Sequence, residues 1–426
     1  MKLFYAFAFS VASALPSTSF AADAPVEFVP QLNNKVSVYD WSGFYIGFGG
    51  GTGYLLETVS APALGVSSVS GVSGRGFFGK LTVGRDFQFS NGFVAGVEVS
   101  GRYGDVETSW NVPPVPFAGS VTADYGFDVV GRVGYTITPR TLAYLLGGYS
   151  WQHFDLDITT GAGSTTWNES GFVVGFGLER AIRDNWTWGS EYRYSQYSGE
   201  TIAALGGVSI DPVTHSFNTN INYRFDGGPS EIQRDAFSYD WSGLKLGGAV
   251  SVGMAYNKIN VPLAATSFDG LGTEGFLGEV NIGYDWELRE RLVAGVILAA
   301  EYVGFSSSLS ALGVTVTSDA DDLGFDALLR GGYKFGDYVL GYVVGGYTYQ
   351  NLSASATGFG TSASVDVGVN ALTIGTGTEL ALSERTSAYI EYRYTMYEDV
   401  DVGTLVTLEP SSHTVRVGAK FKLFSN

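Results

Sequence analysis

Along residues 186–197 large apolar and polar side chains alternate one for one. Trp186, Trp188, Tyr192 and Tyr194 fall on one parity, and Thr187, Gly189, Glu191 and Arg193 on the other. The same two-residue period sets Phe77, Leu81, Val83, Phe87 and Phe89 against Lys80, Thr82, Gly84 and Asp86. It also sets Phe217, Ile221, Tyr223 and Phe225 against Asn218, Asn220, Asn222 and Arg224. Successive side chains of a strand point to opposite faces, so each segment has one apolar, aromatic face and one face of charges, amides and glycine. A soluble sandwich would turn a polar face to water. Here the apolar face carries aromatics at both strand ends, Trp186 below and Tyr197 above, which suits the two interfacial girdles of a membrane strand.

Eight such segments follow one another, near residues 44–54, 75–89, 93–103, 125–136, 141–154, 171–181, 187–197 and 215–225. They run 11 to 15 residues, enough for the roughly 9–11 that a tilted strand needs to cross the apolar layer. Their connections alternate in length. Ser90-Asn91-Gly92, Pro139-Arg140 and Arg183-Asp184-Asn185 are tight turns, whereas 55–74, 104–124, 155–170 and 198–214 are long and polar. Short turns on one side and long loops on the other are the mark of an outer-membrane barrel. Composition agrees. Only 15% of the 426 residues are charged, against about a quarter in a soluble domain. Glycine is abundant at 59 residues and cysteine is absent, so no disulfide framework exists. The mature chain has no apolar run of the roughly 18 residues that a spanning helix needs. A net charge of −18 argues against a nucleic-acid partner.

The chain is written twice. Tyr39-Asp40-Trp41-Ser42-Gly43 returns as Tyr239-Asp240-Trp241-Ser242-Gly243, and Glu191-Tyr192-Arg193-Tyr194 as Glu391-Tyr392-Arg393-Tyr394. Gly126-Phe127-Asp128 matches Gly324-Phe325-Asp326, and His215 matches His413. The spacing is too long for a propeller blade or a solenoid repeat, so each copy should be a domain. The expected order is a signal peptide over 1–21, a periplasmic segment over 22–38, a barrel over 39–225, a linker over 226–238 and a second barrel over 239–426. Lys2, the apolar stretch at 3–15, Pro16 and the small residues before position 22 support the signal peptide. The fold class expected is all-β: two tandem eight-stranded antiparallel up-and-down transmembrane barrels. One sixteen-stranded barrel is the alternative, and it requires the last strand of copy one to pair with the first of copy two.

The inward parity collects charges. Copy one contributes Lys80, Asp86, Glu98, Arg102, Asp128, Arg132, Glu179, Glu191, Arg193 and Arg224. Copy two contributes Glu279, Asp285, Glu301, Asp326, Arg330, Glu379, Glu391, Arg393, Arg416, Lys420 and Lys422. Arg132, Glu179, Glu191 and Arg193 recur as Arg330, Glu379, Glu391 and Arg393, which points to a shared structural need. Lys80, Glu98 and Arg102 are replaced by Glu279, Ile297 and Glu301, so the two lumens should differ electrostatically and be incompletely balanced. Buried opposite charges should pair, and eight strands leave an interior just wide enough for side chains. A salt-bridged plug is therefore favoured over a selective pore. Trp41, Trp186, Trp188, Trp241 and Trp286 are the expected interfacial aromatics.

No catalytic set emerges. Ser216 beside His215 and Ser411-Ser412 before His413 lack an orienting acid, so no enzyme is expected. With no Cys and no close His pair, a structural metal site is not expected either. His153, His215 and His413 are the haem-ligand candidates, read otherwise as amphipathic interfacial side chains; no cofactor is assigned.

Asp40-Trp41-Ser42-Gly43-Phe44-Tyr45-Ile46-Gly47 resembles the opening of the small outer-membrane β-barrel proteins of alphaproteobacteria. Val94-Ala95-Gly96-Val97-Glu98, Glu191-Tyr192-Arg193-Tyr194 and the closing strand at 215–225 are similar to that family too. The family includes surface antigens, haem-binding barrels and porin-like proteins. The resemblance implies an OmpA-like barrel in the Gram-negative outer membrane, held by lipid and lipopolysaccharide, that meets a host or environmental ligand. Copy two departs from the pattern at Leu244-Lys245-Leu246 and in ending Phe424-Ser425-Asn426 rather than on an aromatic. The expected function is a structural or surface-contact role. A passive porin for small solutes and a haem or ligand receptor are the alternatives. The oligomeric state stays open.

Overall fold

The computed structural model describes residues 35–61, 66–111, 118–158, 163–202, 207–235, 237–262, 266–311, 314–358 and 360–424. The expected signal peptide and residues 22–34 lie outside them. The first ring consists of β2 (Gly43–Ala61), β3 (Val66–Gln88), β4 (Phe93–Asn111), β5 (Ala118–Thr138), β6 (Thr141–Ile158), β7 (Gly163–Ala181), β8 (Trp186–Tyr197) and β10 (Val208–Arg224). Each strand pairs antiparallel with the next, and β10 closes on β2. The second ring consists of β12 (Gly243–Val261), β13 (Thr266–Arg289), β14 (Leu292–Ala311), β15 (Val314–Lys334), β16 (Val339–Gly358), β17 (Thr361–Ala381), β18 (Thr386–Tyr397) and β20 (Val406–Lys422). It closes by pairing of β20 with β12. The last strand of copy one thus pairs within its own ring, which removes the sixteen-stranded alternative.

The two rings have the same geometry. From Ile46, successive paired residues are Val83, Val99, Val129, Tyr149, Phe172, Gln196 and Val213, and the path returns at Leu56, ten residues further along β2. From Leu246 the path runs through Ile282, Leu298, Ala327, Tyr347, Leu372, Met396 and Ser411 and returns at Tyr256, again ten residues on. Eight strands with that stagger tilt by roughly 40°. Each residue then climbs about 2.5 Å along the barrel axis, so an apolar band about 25 Å tall takes only some ten residues. Strands of 19 to 24 residues therefore rise well past the membrane. This is why the long polar connections at 55–74, 104–124 and 155–170 are largely hairpin extensions of the wall.

The apolar parity forms the outer wall. Phe77 is 80% exposed and Leu145 68%, which is the state of a side chain meant for lipid. The lower turns are tight: Gly92, at φ 87°, closes the β3–β4 turn, where Phe89 N–H donates to the Phe93 carbonyl.

Several expectations change. Within the linker, β11 (Gly228–Asp235) pairs with β1 (Lys35–Asp40) as a two-stranded ribbon on the turn side, which the sequence did not suggest. Tyr197 lies inside the lumen, bonded to Arg102, because it stands an odd number of residues from Trp186. Trp186 and Trp286 are on the outer wall, but Trp41 and Trp241 are fully buried. They precede their first wall strands and so escape its parity; they fold under the barrel instead. Trp188 keeps the outward parity, yet it packs against Phe335 of the second barrel, ring centroids 5.8 Å apart, rather than facing lipid.

Candidate functional site

The lumen is where this chain concentrates its chemistry. In the first barrel Arg193 donates to Glu191, Glu98 and Asp128, each at 2.6 Å. Lys80 reaches Glu191 at 2.9 Å. Arg102 bonds Asp128 at 2.7 Å and the Tyr197 hydroxyl at 2.7 Å. Below them Arg132 bridges Asp86 and Glu179, and Arg224 bridges the same two carboxylates. Tyr45 donates to Glu98 and Tyr144 to Glu191. All eight wall strands supply a member, so the network ties the ring across its middle.

The second barrel builds an equivalent network from a different set. Arg393 holds Glu391, Asp326 and Glu279. Arg416 holds Glu279 and Glu301, at 2.5 and 2.7 Å. Arg330, Lys245 and Lys420 converge on Asp285 and Glu379. Sequence reading missed Lys245 as a lumen group; its signal was its odd place in Leu244-Lys245-Leu246, where Tyr45 stands in copy one. The two charge sets differ by compensating exchanges. Lys80, Glu98 and Arg102 give way to Glu279, Ile297 and Glu301, while Tyr45, Asn218 and Asn222 give way to Lys245, Arg416 and Lys420. The first lumen therefore holds five cations, Arg102 half-buried among them, against five carboxylates at mid-height; in the second, five cations meet six carboxylates, and Lys422 pairs instead with Asp240 at the turn end. Buried charge is tolerated only when paired, so losses in one strand are met by gains in another.

Both ends are stopped. At the turn end the Asp-Trp-Ser-Gly motif builds a plug. Asp40 Oδ1 accepts the Ser42 N–H at 2.9 Å, Ser42 Oγ accepts the Gln88 N–H at 3.0 Å, and Gly43 at φ 109° turns the chain into β2. This puts Trp41 beneath Arg224, 4.8 Å from guanidinium carbon to ring centroid, with Tyr39 edge-on at 4.9 Å. Copy two repeats the plug with Trp241, Tyr239 and Lys245. At the other end β9 (Glu200–Ile202) folds onto β10, and Ile202 joins Leu55, Val121, Phe154 and Leu156 in an apolar cap. β19 (Val400–Val402) with Leu405 and Leu408 caps the second barrel. Between cap and network, cavities of about 40 Å³ beside Arg102 and Gln152 and about 30 Å³ beside Asn257 and Gln350 have room for only a few waters.

The histidines are not brought together. His153 stacks on Tyr125 and bonds Asp124 at 2.8 Å. His215 and His413 lie buried on the outer parity, between the barrels, with both ring nitrogens of each engaged by protein groups. Glu279, Glu301 and Asp326 bring carboxylate oxygens within 4.8 Å of one another, but Arg393 and Arg416 already hold all three.

Residues 8–225 and again 234–421 match the family described as outer membrane protein beta-barrel domain. The 31 kDa outer-membrane immunogenic protein of Brucella melitensis is 27% identical over 235 residues, which cover 51% of this chain and 97% of that protein. The 25 kDa outer-membrane immunogenic protein of the same organism is 28% identical over 221 residues, 49% of this chain and 92% of its own. Among solved structures, Ail, the attachment invasion locus protein of Yersinia pestis, aligns over 41% of this chain and 97% of its own, at 16% identity and a TM-score of 0.24. Each of the two Brucella relatives is spanned almost whole by about half of this sequence. The chain thus belongs to the outer membrane protein beta-barrel domain family, carries that domain twice in tandem, and resides in the outer membrane.

Proposed function

We propose that the protein is a closed double barrel that braces the outer membrane and offers its two crowns of hairpins to the cell exterior. The observation that carries this reading is the lumen network: every wall strand contributes to it, and it spans each barrel between an aromatic plug and an apolar cap. An ion crossing such a lumen would have to break several buried ion pairs, which is costly. The wall holds the chain in lipid, and the hairpins carry the contact with lipopolysaccharide or with a host or environmental surface. The Brucella relatives, named as immunogenic outer-membrane proteins, fit a role read at the surface. Reconstitution into planar bilayers tests the reading. The expected record is the unmodified bilayer baseline. Long-lived conductance steps of porin size would overturn it in favour of solute passage.

A further inference from the structure

A few outward-facing residues are not exposed. Tyr192 and Val415 stand on the lipid-facing parity, yet they are only 8% and 6% accessible, and Ile390 is buried with them in one apolar cluster drawn from both barrels. The contacts around this cluster obey a rule. Val72 of β3 pairs with Leu271 of β13, the one backbone pair that links the two rings among the described residues. These are the same position in the two copies, since Arg75-Gly76-Phe77 corresponds to Glu274-Gly275-Phe276. Beside them, a Cβ on Gly272 would collide with the Oγ of Ser73, again its own equivalent. A residue meets its own counterpart only where a two-fold axis passes.

Away from that point the contacts come in mates. His215 bonds Glu274 of the other barrel at 3.0 Å, and His413 meets Arg75 of the other barrel at 3.4 Å. Phe217 stacks on Tyr392 across the seam, centroids 5.5 Å apart and planes 14° from parallel. Its mate pair, Val415 and Tyr192, is buried in the same cluster. Tyr54 adds hydrogen bonds to His413 and to the Tyr392 hydroxyl, at 2.5 and 2.9 Å.

We infer that the two barrels form a fused, pseudo-symmetric dimer. One patch, present in each copy on the first, second, seventh and eighth strands of its ring, is a barrel-docking surface whose partner is a second barrel of the same kind, turned about an axis along the membrane normal. This is the self-complementary logic of a two-fold interface, here within one chain and with the mates diverged. Aromatic, histidine and tyrosine groups suit it. As for helices that pack within a bilayer, contacts inside lipid gain little from burying apolar area, because lipid tails are as apolar as the side chains, and rely on packing and hydrogen bonds. Arg75 and Glu274, one on each barrel, give each histidine an unlike partner. The linker ribbon then joins a pair that already fits, and the two crowns of hairpins form one platform: Val72 of the first barrel packs into the apolar cap of the second.

The absence of cysteine in the natural chain makes the test clean. Residues paired across antiparallel strands lie about 4.5–5.5 Å apart at Cα, within disulfide reach. The full chain carrying V72C and L271C, in outer membranes under mild oxidation, should form an intramolecular disulfide in most molecules, seen as a thiol-reversible gel shift. L145C with V343C, equivalent residues on β6 and β16, should not. F217C with Y392C, joined by a short bismaleimide, repeats the test lower in the seam should the first pair fail to assemble. Cross-linking no greater than that of L145C with V343C, or cross-linking only between chains, would overturn the inference. The outcome is independent of whether the lumens conduct.

Discussion

His215 Nε2 lies 3.0 Å from Glu274 Oε2, whereas the equivalent nitrogen of His413 faces Arg75, the residue that occupies the place of Glu274 in the other copy. A carboxylate can only accept and a guanidinium can only donate. A neutral His215 therefore carries its proton on Nε2 and accepts the Tyr192 O–H at Nδ1, 2.7 Å away. A neutral His413 carries its proton on Nδ1, toward the Tyr54 and Tyr392 oxygens. Repeat-equivalent histidines should thus be opposite tautomers. Nitrogen-15 NMR of the selectively labelled protein checks this, and in Arg75→Glu the His413 proton is expected to move to Nε2. Identical tautomers in the natural chain would contradict the assigned contacts.

Removing Arg193 would leave Glu98, Asp128 and Glu191 short of a shared partner in a closed lumen. Breaking a buried pair from one side costs about 3–5 kcal/mol. Arg193→Ala should lose that much in urea unfolding of the reconstituted protein, and Arg393→Ala a similar amount. Arg193→Lys should fall between, because an ammonium cannot hold three carboxylates in the fixed fork of a guanidinium.

The charge exchanges between the copies predict a rescue. Lys80→Glu alone places a carboxylate beside Glu98 and Glu191. Adding Asn218→Arg recreates the Glu279–Arg416 pair of the second barrel. A double-mutant cycle on unfolding free energies should give a favourable coupling of about 1–3 kcal/mol. Simple additivity would mean that the second-barrel arrangement does not transfer.

The placement of the tryptophans is measurable. In variants retaining a single tryptophan, brominated lipid should quench Trp186 and Trp286 strongly and Trp41 and Trp241 weakly. Truncating the plug should also be the costlier change. Trp41→Ala is expected to lose about 3–5 kcal/mol, and Trp286→Ala, 45% exposed on the wall, clearly less.

The alternation around Phe77, Trp186 and Phe217, the tight turns and the repeat of Tyr-Asp-Trp-Ser-Gly made the wall, the strand number and the duplication legible. Strand parity is local: once a residue is in a strand, its neighbours fix which face it takes. The same parity placed Arg132, Glu179, Glu191, Arg193 and their repeats on the inward face. It could not place Trp41 and Trp241, which stand before the first wall strand; only the turn made by Asp40, Ser42 and Gly43 carries them under the lumen. Nor could it find the caps. Ile202 and Val402 lie in stretches that read as polar loop, and they become core only because a hairpin folds inward over the mouth. His215 and His413 looked like interfacial side chains because an outward position has the same sequence signature whether lipid or another barrel covers it. Sequence alone thus determined two copies of an eight-stranded wall with an apolar outside and a charged inside, because that follows from repeat, period and sign. Whether the strands close as one ring or two, which part of the outside is a protein seam, and which charges pair within each lumen were decided by tertiary structure, because all three depend on distances between strands far apart in the chain.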